Sequence, residues 1–283
     1  MVYKTTTTRA TKPAQYALRI FVGITLLQLL AYWDAWQWYL TRLWFSPQEG
    51  IGFAATVGIL CLMAGYSYRQ HKKIHRVPPL PIIVLLLTYS LSYLFAPALV
   101  RTAIAVTSVL LTIYLAFFTR RPPIAFWGMV LLSLPVVPSL QFYLGYPARL
   151  MSAEITVPLL QMNGLSVIRE GTYLVWNNKM LQFDAPCSGV TMLWAGLFFT
   201  FVIAFFLRFD IKKMIIALFL TAVIVLIGNV LRASSLFYLE VGLFPSSAVW
   251  WHQGVGVVVF IMTAFTLMFL LLRLNLWRAT TIK

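Results

Sequence analysis

Charged side chains are scarce in this chain. Asp, Glu, Lys and Arg make up 10% of its 283 residues, and 61% are hydrophobic, whereas a soluble domain carries roughly 25% charged residues. This composition excludes an ordinary water-soluble fold. It also excludes a disordered chain, which needs low hydrophobicity and high charge. A mean hydropathy of +0.85 is instead typical of a bundle of membrane-spanning helices.

Acidic residues and cysteines are rarer still. The chain has 7 Asp and Glu against 22 Lys and Arg, which gives a net charge of +15. We interpret this excess as basic residues on cytoplasmic loops rather than as a surface for nucleic acid. Two cysteines exclude a disulfide scaffold. The acidic residues do not stand at a metal-ligand spacing, so we predict no metal and no cofactor.

Eight apolar runs are long enough to cross a bilayer, since a spanning helix needs about 20 mostly apolar residues. They lie near 17–33, 51–68, 81–97, 98–118, 124–144, 188–207, 212–232 and 251–273. The third and fourth meet at Pro97, where we predict a helical hairpin. The fold class is therefore an all-α polytopic membrane protein. It forms one transmembrane domain over 1–283, with four-span halves at 17–118 and 124–273.

The distribution of basic residues orients these spans. With the N-terminus in the cytoplasm, 16 of the 22 basic residues and one acid fall on inner segments, and the outer side has no net charge. An even number of spans keeps the basic C-terminus inside as well. We therefore predict a multi-pass protein of the cytoplasmic (inner) membrane with both termini inside.

One long outer segment is predicted at 146–186. Its first part, 147–162, has the pattern of an amphipathic helix that lies on the membrane interface. The apolar period then changes to that of strands at 165–169, 172–176 and 180–184, with turns at 170–171 and 177–178 between them. We predict a short β meander that leads directly into the sixth span.

Polar residues at outer helix ends indicate where chemistry could take place. Cys187, followed by Ser188 and Gly189, stands at the start of the sixth span. A helix N-terminus lowers the pKa of a thiol and favours the nucleophilic thiolate, and Gly189 allows another segment to approach closely. The alternative interpretation is that Cys187 serves only as a small apolar residue.

Two further candidates stand at the outer ends of the next spans. Asn229 and Arg232 share one face of the seventh span, and charged groups at that depth need a partner. Arg232 could equally reach the interface or cap its helix. His252 opens the eighth span, where it could carry a proton or act only as a polar anchor.

The three placements coincide at one leaflet, because spans six, seven and eight alternate in direction. In the predicted site Cys187 is the nucleophile, and His252 pairs with it and protonates the leaving amine. Arg232, together with Asn229, stabilises the oxyanion or the thiolate. Cys61 lies well inside the second span and is predicted to be an inert core thiol.

These residues resemble a known family, the exosortase/archaeosortase family. The resemblance rests on an ordered set of motifs at the outer ends of consecutive spans: Cys187-Ser188-Gly189, Asn229-x-x-Arg232 and His252. It is clearest over 124–273, and the short β segment before the cysteine is also similar to that family. Pro186 departs from the Glu or Ala expected near the cysteine.

The resemblance implies a membrane-embedded cysteine transpeptidase or protease, with Cys187 as nucleophile and Arg232 and His252 in the other two roles. The implied partners are membrane protein substrates whose C-terminus carries a short motif such as Pro-Glu-Pro, a transmembrane helix and a basic tail. The implied acceptor is an amine or a lipid. Cleavage would proceed through a thioester, with the site facing the periplasm or exterior.

Other function classes stay open at this point. A transporter or channel is disfavoured because the membrane midplane is nearly free of charge, whereas transport sites need polar groups or broken helices. A non-catalytic assembly factor for surface polysaccharide or protein export would not need the thiol of Cys187. An acyltransferase would carry a lipid acyl group on that thiol instead of a peptide.

Overall fold

The computed structural model describes residues 12–45, 50–69, 75–118, 120–182, 188–242 and 249–276. These residues form two compact units. The first contains residues up to Pro122 together with Ser133–Pro135. The second contains Pro123–Leu132 and the chain from Val136 onward.

Every regular element in the described part of the first unit is a helix. Its helices are α1 (Lys12–Ala31), α2 (Trp33–Phe45), α3 (Gly50–Arg69), α4 (Pro79–Ser92) and α5 (Ala98–Phe117). α5 is central, since it contacts each of the other four. The buried amide of Gln28 on α1 donates to the hydroxyls of Ser108 and Thr112 on α5, each at 2.9 Å. Such hydrogen bonds join helices in apolar surroundings, where helix association has little hydrophobic driving force.

The bend between α1 and α2 measures 73°. Tyr32, the residue between the two helices, is fully buried. Its hydroxyl donates to Ser108 Oγ at 2.9 Å, and Asp34 on α2 pairs with Arg101 on α5 at 2.9 Å. These contacts attach the bend and α2 to α5.

Cys61 on α3 is exposed, so the prediction that its thiol lies in the core is wrong. Three buried hydrophobic residues of α3, Ala55, Ile59 and Met63, recur every four residues and therefore line one face of the helix. Cys61 stands two residues from both Ile59 and Met63, and that spacing places it on a different face.

The second unit contains helices and one small sheet. Its elements are α6 (Ile124–Leu132), α7 (Val137–Met162), β1 (Ile168–Glu170), β2 (Tyr173–Trp176), β3 (Lys179–Gln182), α8 (Val190–Leu207), α9 (Ile211–Glu240) and α10 (Val249–Leu276). α9 is central and contacts α7, α8 and α10. Gly196 of α8 lies against Val225 of α9, and Gly228 of α9 lies against Thr263 of α10. Glycines at these positions let the helix backbones approach closely.

The prediction of one continuous helix over 124–144 is wrong. α6 ends at Leu132, and α7 begins at Val137 with a bend of 91° between them. Pro135 explains the break, while Pro138 lies in the first turn of α7, where a proline is tolerated. Proline removes a backbone donor and disfavours the helical conformation of the residue before it.

The separate helix predicted over 147–162 is also wrong. That stretch is the C-terminal part of α7, which continues through Pro147 and Pro158 as far as Met162. A proline inside a helix costs about 3 kcal/mol or more. Packing of α7 against α8 and α9 offsets this cost in the folded chain.

The predicted β meander is confirmed, with strand boundaries that differ by up to three residues. β2 pairs with β1 and with β3, antiparallel in both cases. Asn177 and Asn178 have φ angles of 49° and 60°, as a two-residue hairpin turn of type I′ requires. Leu174 of the sheet packs against Leu160 of α7 and Phe237 of α9. The meander therefore rests on the C-terminal ends of these two helices.

α9 has 30 residues and is about 45 Å long, longer than the hydrocarbon core of about 30 Å. Among the described residues, α5, α8, α9 and 254–276 of α10 are long and apolar enough to cross a membrane. Counting each bent pair as one span raises this number to six. Shorter apolar helices cover 54–63 and 79–92. The total of eight spans and the cytoplasmic placement of both termini stay predictions.

Candidate active site

The start of α8 is buried and held by hydrogen bonds from its own turn and from α7. Ser188 Oγ donates to Gln141 Oε1 of α7 at 3.0 Å and accepts from the backbone N–H of Val190 at 3.3 Å. Gly189 caps the helix in the left-handed conformation, with φ of 72°, and its carbonyl accepts from the N–H of Leu193 at 2.8 Å. The residues that follow Cys187 in the chain therefore have a defined position.

Asn229 connects this helix start to α9 and α7. Its side chain is 2% exposed, and its Nδ2 donates to Ser152 Oγ of α7 at 2.9 Å. Its Cγ lies 2.7 Å from the place that a Cβ atom on Gly189 would occupy. The start of α8, the middle of α7 and the C-terminal half of α9 therefore meet around Asn229.

Arg232 lies one turn further along α9 and reaches α10. Its Nε is 3.4 Å and its Cζ 3.8 Å from the position that a Cβ atom on Gly256 would occupy. The absence of a side chain at Gly256 therefore leaves room for the guanidinium. His252 belongs to the first turn of α10. It precedes Gly256 by four residues and so lies on the same side of that helix.

The structure brings three of the predicted site residues together, Ser188, Gly189 and Asn229. Arg232 follows Asn229 by one turn of α9 and lies against Gly256 of α10. The backbone of His252 is in α10, and its side chain lies outside the described part of the chain. Cys187 also lies outside the described residues. The roles predicted for Cys187, Arg232 and His252 stay predictions.

Two neighbours of the site were missed in the sequence. Gln141 and Ser152, both on α7, hold Ser188 and Asn229 respectively. The sequence signal that could have found Gln141 is its polar side chain within an apolar run, because such residues commonly face a partner inside a membrane protein. The signal does not identify the partner, which lies 47 residues away for Gln141 and 77 for Ser152.

The described residues do not build a metal site. Across the described ranges no three His, Cys, Asp or Glu side chains gather where a metal ion could bind. The described polar groups of this region are the hydroxyl of Ser188, the amide of Asn229 and, one turn further along α9, the guanidinium of Arg232.

We expect Gly189→Ala to lower the stability of the protein more than an equivalent change elsewhere. A left-handed conformation costs a residue other than glycine about 1–2 kcal/mol. The new Cβ would also displace Asn229, and overpacking adds about 1–3 kcal/mol. Gly164→Ala is the matched control, since Gly164 has φ of 81° and nothing within 4 Å of its Cβ position. Thermal unfolding in detergent measures both, and equal losses would contradict the crowding at Asn229.

The long apolar helices and the polar cluster at the start of α8 define a multi-pass membrane protein. Within this class the chain belongs to the exosortase family: the family model described as "Transmembrane exosortase" matches residues 20–269. This match confirms the resemblance seen in the motifs. No curated protein and no solved structure matches the chain. Membership supports a general role as a membrane transpeptidase or protease.

Proposed function

We propose that this exosortase is a cysteine transpeptidase or protease that cleaves C-terminal sorting signals of exported proteins. The site is formed by Cys187, His252 and Arg232, with Asn229 in support. Its substrates are membrane proteins that end in a short motif such as Pro-Glu-Pro, a transmembrane helix and a basic tail. Cleavage takes place at the outer face of the cytoplasmic membrane.

The observation that supports this site is the series of contacts between three helices. Gly189 lies against α9 one turn before Arg232, and Arg232 lies against Gly256. Cys187 precedes Gly189 by two residues, and His252 precedes Gly256 by one turn. Consecutive Cα atoms are about 3.8 Å apart and a helical turn rises about 5.4 Å. These short separations favour a common site for the thiol, the guanidinium and the imidazole.

In the proposed reaction His252 takes the proton of the Cys187 thiol, and the thiolate attacks the carbonyl carbon of the scissile peptide bond. A carbon–sulfur bond forms, and the carbonyl oxygen becomes an oxyanion that Arg232 stabilises by charge-assisted hydrogen bonds. The carbon–nitrogen bond then breaks as His252 gives the proton to the leaving amine. The product is a thioester on Cys187.

The thioester can be resolved in two ways. Water would release the shortened protein as a free acid, and the enzyme would then be a protease. An amine, carried by a small molecule or by a lipid, would form a new amide bond, and the enzyme would be a transpeptidase. Both routes return the thiol to Cys187.

Capture of the thioester tests this proposal. We expect purified protein, mixed in detergent with a tagged motif–helix–basic tail from the same genome, to retain the N-terminal fragment on Cys187. Hydroxylamine should release that fragment as a hydroxamate, because it attacks the thioester carbonyl. Mass spectrometry of the digested protein identifies which cysteine carries the fragment.

The second cysteine provides the matched control. Cys61→Ala should leave the adduct unchanged, since Cys61 is exposed on α3 in the other unit. A peptide adduct on Cys61, or cleavage that gives neither an adduct on Cys187 nor a hydroxamate when hydroxylamine is present, would contradict the proposal. A lipid acyl group on Cys187 would identify an acyltransferase. Neither adduct nor cleavage with any such tail would favour a transporter or an assembly factor.

A further inference from the structure

An apolar cavity of about 250 Å³ lies between α7, the start of α8 and α9. Ser188, Gly189 and Asn229 form its wall at one end, and Ala222 on α9 is at the other. Ala222 and Asn229 are seven positions apart, which corresponds to about 10 Å of helix. The cavity therefore begins beside the residues that follow Cys187 and extends toward the middle of α9.

The wall of the cavity is suited to an apolar occupant. Most of it consists of aliphatic side chains, among them Leu144, Met151, Leu193, Val225 and Leu226. The polar side chains at the end of the cavity beside α8 already have hydrogen-bond partners, since Ser188 donates to Gln141 and Asn229 donates to Ser152. Leu144 and Met151 are 43% and 53% exposed, so the cavity can be entered from the side of α7.

The size of the cavity distinguishes between two apolar occupants. An engineered cavity of about 150 Å³ holds a benzene molecule, so a volume of about 250 Å³ accommodates one large aliphatic or aromatic side chain. A lipid acyl chain extends about 15 Å, half of the hydrocarbon core. That length exceeds the roughly 10 Å of helix that borders the cavity. A side chain is therefore the better fit.

We infer that this cavity receives a large apolar side chain of the substrate's tail helix. The side chain belongs to the first two helical turns after the scissile bond, on the C-terminal fragment that leaves as the amine. The inference rests on the proposed function, because the cavity has a substrate only if Cys187 cleaves such tails. A tail that enters the membrane from the meander side runs past Cys187 toward the middle of α9. Its first apolar side chains then reach the level of the cavity. The lining of this pocket would determine which tails are cleaved.

A size exchange between enzyme and substrate tests the pocket. Ala222→Leu narrows the cavity and keeps a strong helix former at an exposed position of α9. One methylene in a hydrophobic pocket changes kcat/KM by about 10–200-fold. We expect Ala222→Leu to lower kcat/KM at least about ten-fold for a tail with leucine at one position of its first two turns. For the same tail with alanine at that position the loss should be smaller, so the ratio of kcat/KM for the leucine tail to that for the alanine tail should be lower in Ala222→Leu than in wild type.

Cleavage of the alanine tail also verifies that the Ala222→Leu variant is folded. Ala54→Leu is the matched control, since Ala54 is an exposed residue of α3, and it should change neither reaction. If Ala222→Leu cleaves every tail of a leucine-to-alanine scan as wild type does, the pocket is wrong and the proposed function stands. If wild type shows no cleavage that depends on Cys187, both are wrong.

Cross-linking examines the occupant without requiring turnover. A photoreactive benzoylphenylalanine replaces Met151, which lines the cavity, in a Cys187→Ala background that retains uncleaved substrate. We expect a cross-link to the substrate tail that is at least about ten-fold stronger than from Met262, an exposed residue of α10. A cross-link to lipid alone, or equal tail cross-links from both positions, would overturn the inference.

Discussion

Cys187→Ala is expected to abolish shortening of a co-expressed substrate, by roughly 10⁴-fold or more, because it removes the proposed nucleophile that forms the covalent intermediate. Alanine is small and apolar, so it should leave the hydrogen bonds of Ser188 to Gln141 and Val190 in place. The measurement is the size of a tagged motif–helix–basic substrate in cells that carry wild type or the variant.

Two controls separate a nucleophile from a structural cysteine. Cys61→Ala removes the other thiol of the chain and should shorten the substrate as wild type does. Cys187→Ser keeps the size of the side chain but offers a weaker nucleophile, so it should be nearly as inactive as Cys187→Ala. Full cleavage by Cys187→Ala, at normal protein levels, would mean that Cys187 is not the nucleophile.

Arg232→Ala is the change with the second largest expected effect. Loss of one oxyanion-stabilising group typically lowers kcat by about 10²–10³-fold, and we expect a loss in that range. Arg232→Lys retains the charge without the planar fork of donors. It should therefore recover part of the activity and remain on the order of ten-fold below wild type. Initial rates with purified protein at saturating substrate measure both.

The control for Arg232 is another arginine of the same unit. Arg169 pairs with Glu154 at 2.6 Å, and such exposed pairs contribute little to stability, so Arg169→Gln should keep the wild-type rate. A group that acts together with the nucleophile has no effect of its own once the nucleophile is gone. Arg232→Ala should therefore add nothing to Cys187→Ala. An unchanged rate in Arg232→Ala would assign Arg232 to the membrane interface alone.

Local patterns predicted the parts of the fold that depend on neighbouring residues. The strand period together with Asn177-Asn178 predicted the meander and its second turn, because a tight hairpin turn needs residues that tolerate positive φ. The long apolar runs predicted α5, α8, α9 and α10, since a helix satisfies its backbone polar groups within one segment inside lipid. The family resemblance came from the same local motifs.

Prolines were weaker predictors than these patterns. The chain breaks between α6 and α7 near Pro135, but it remains helical through Pro147 and Pro158. A proline removes one hydrogen bond in each case. Whether the helix bends or continues then depends on how the neighbouring helices pack against it. The local sequence does not contain that information.

The sequence by itself determined that this is a membrane protein of long apolar helices with a β meander before Cys187-Ser188-Gly189, because composition and period are local properties. It also determined the order of the motifs that carry the resemblance. Only the tertiary structure decided that Gln141 holds Ser188, that Ser152 holds Asn229 and that a cavity lies beside them. These contacts join residues 47 and 77 positions apart, and they arise from the packing of α7, α8 and α9.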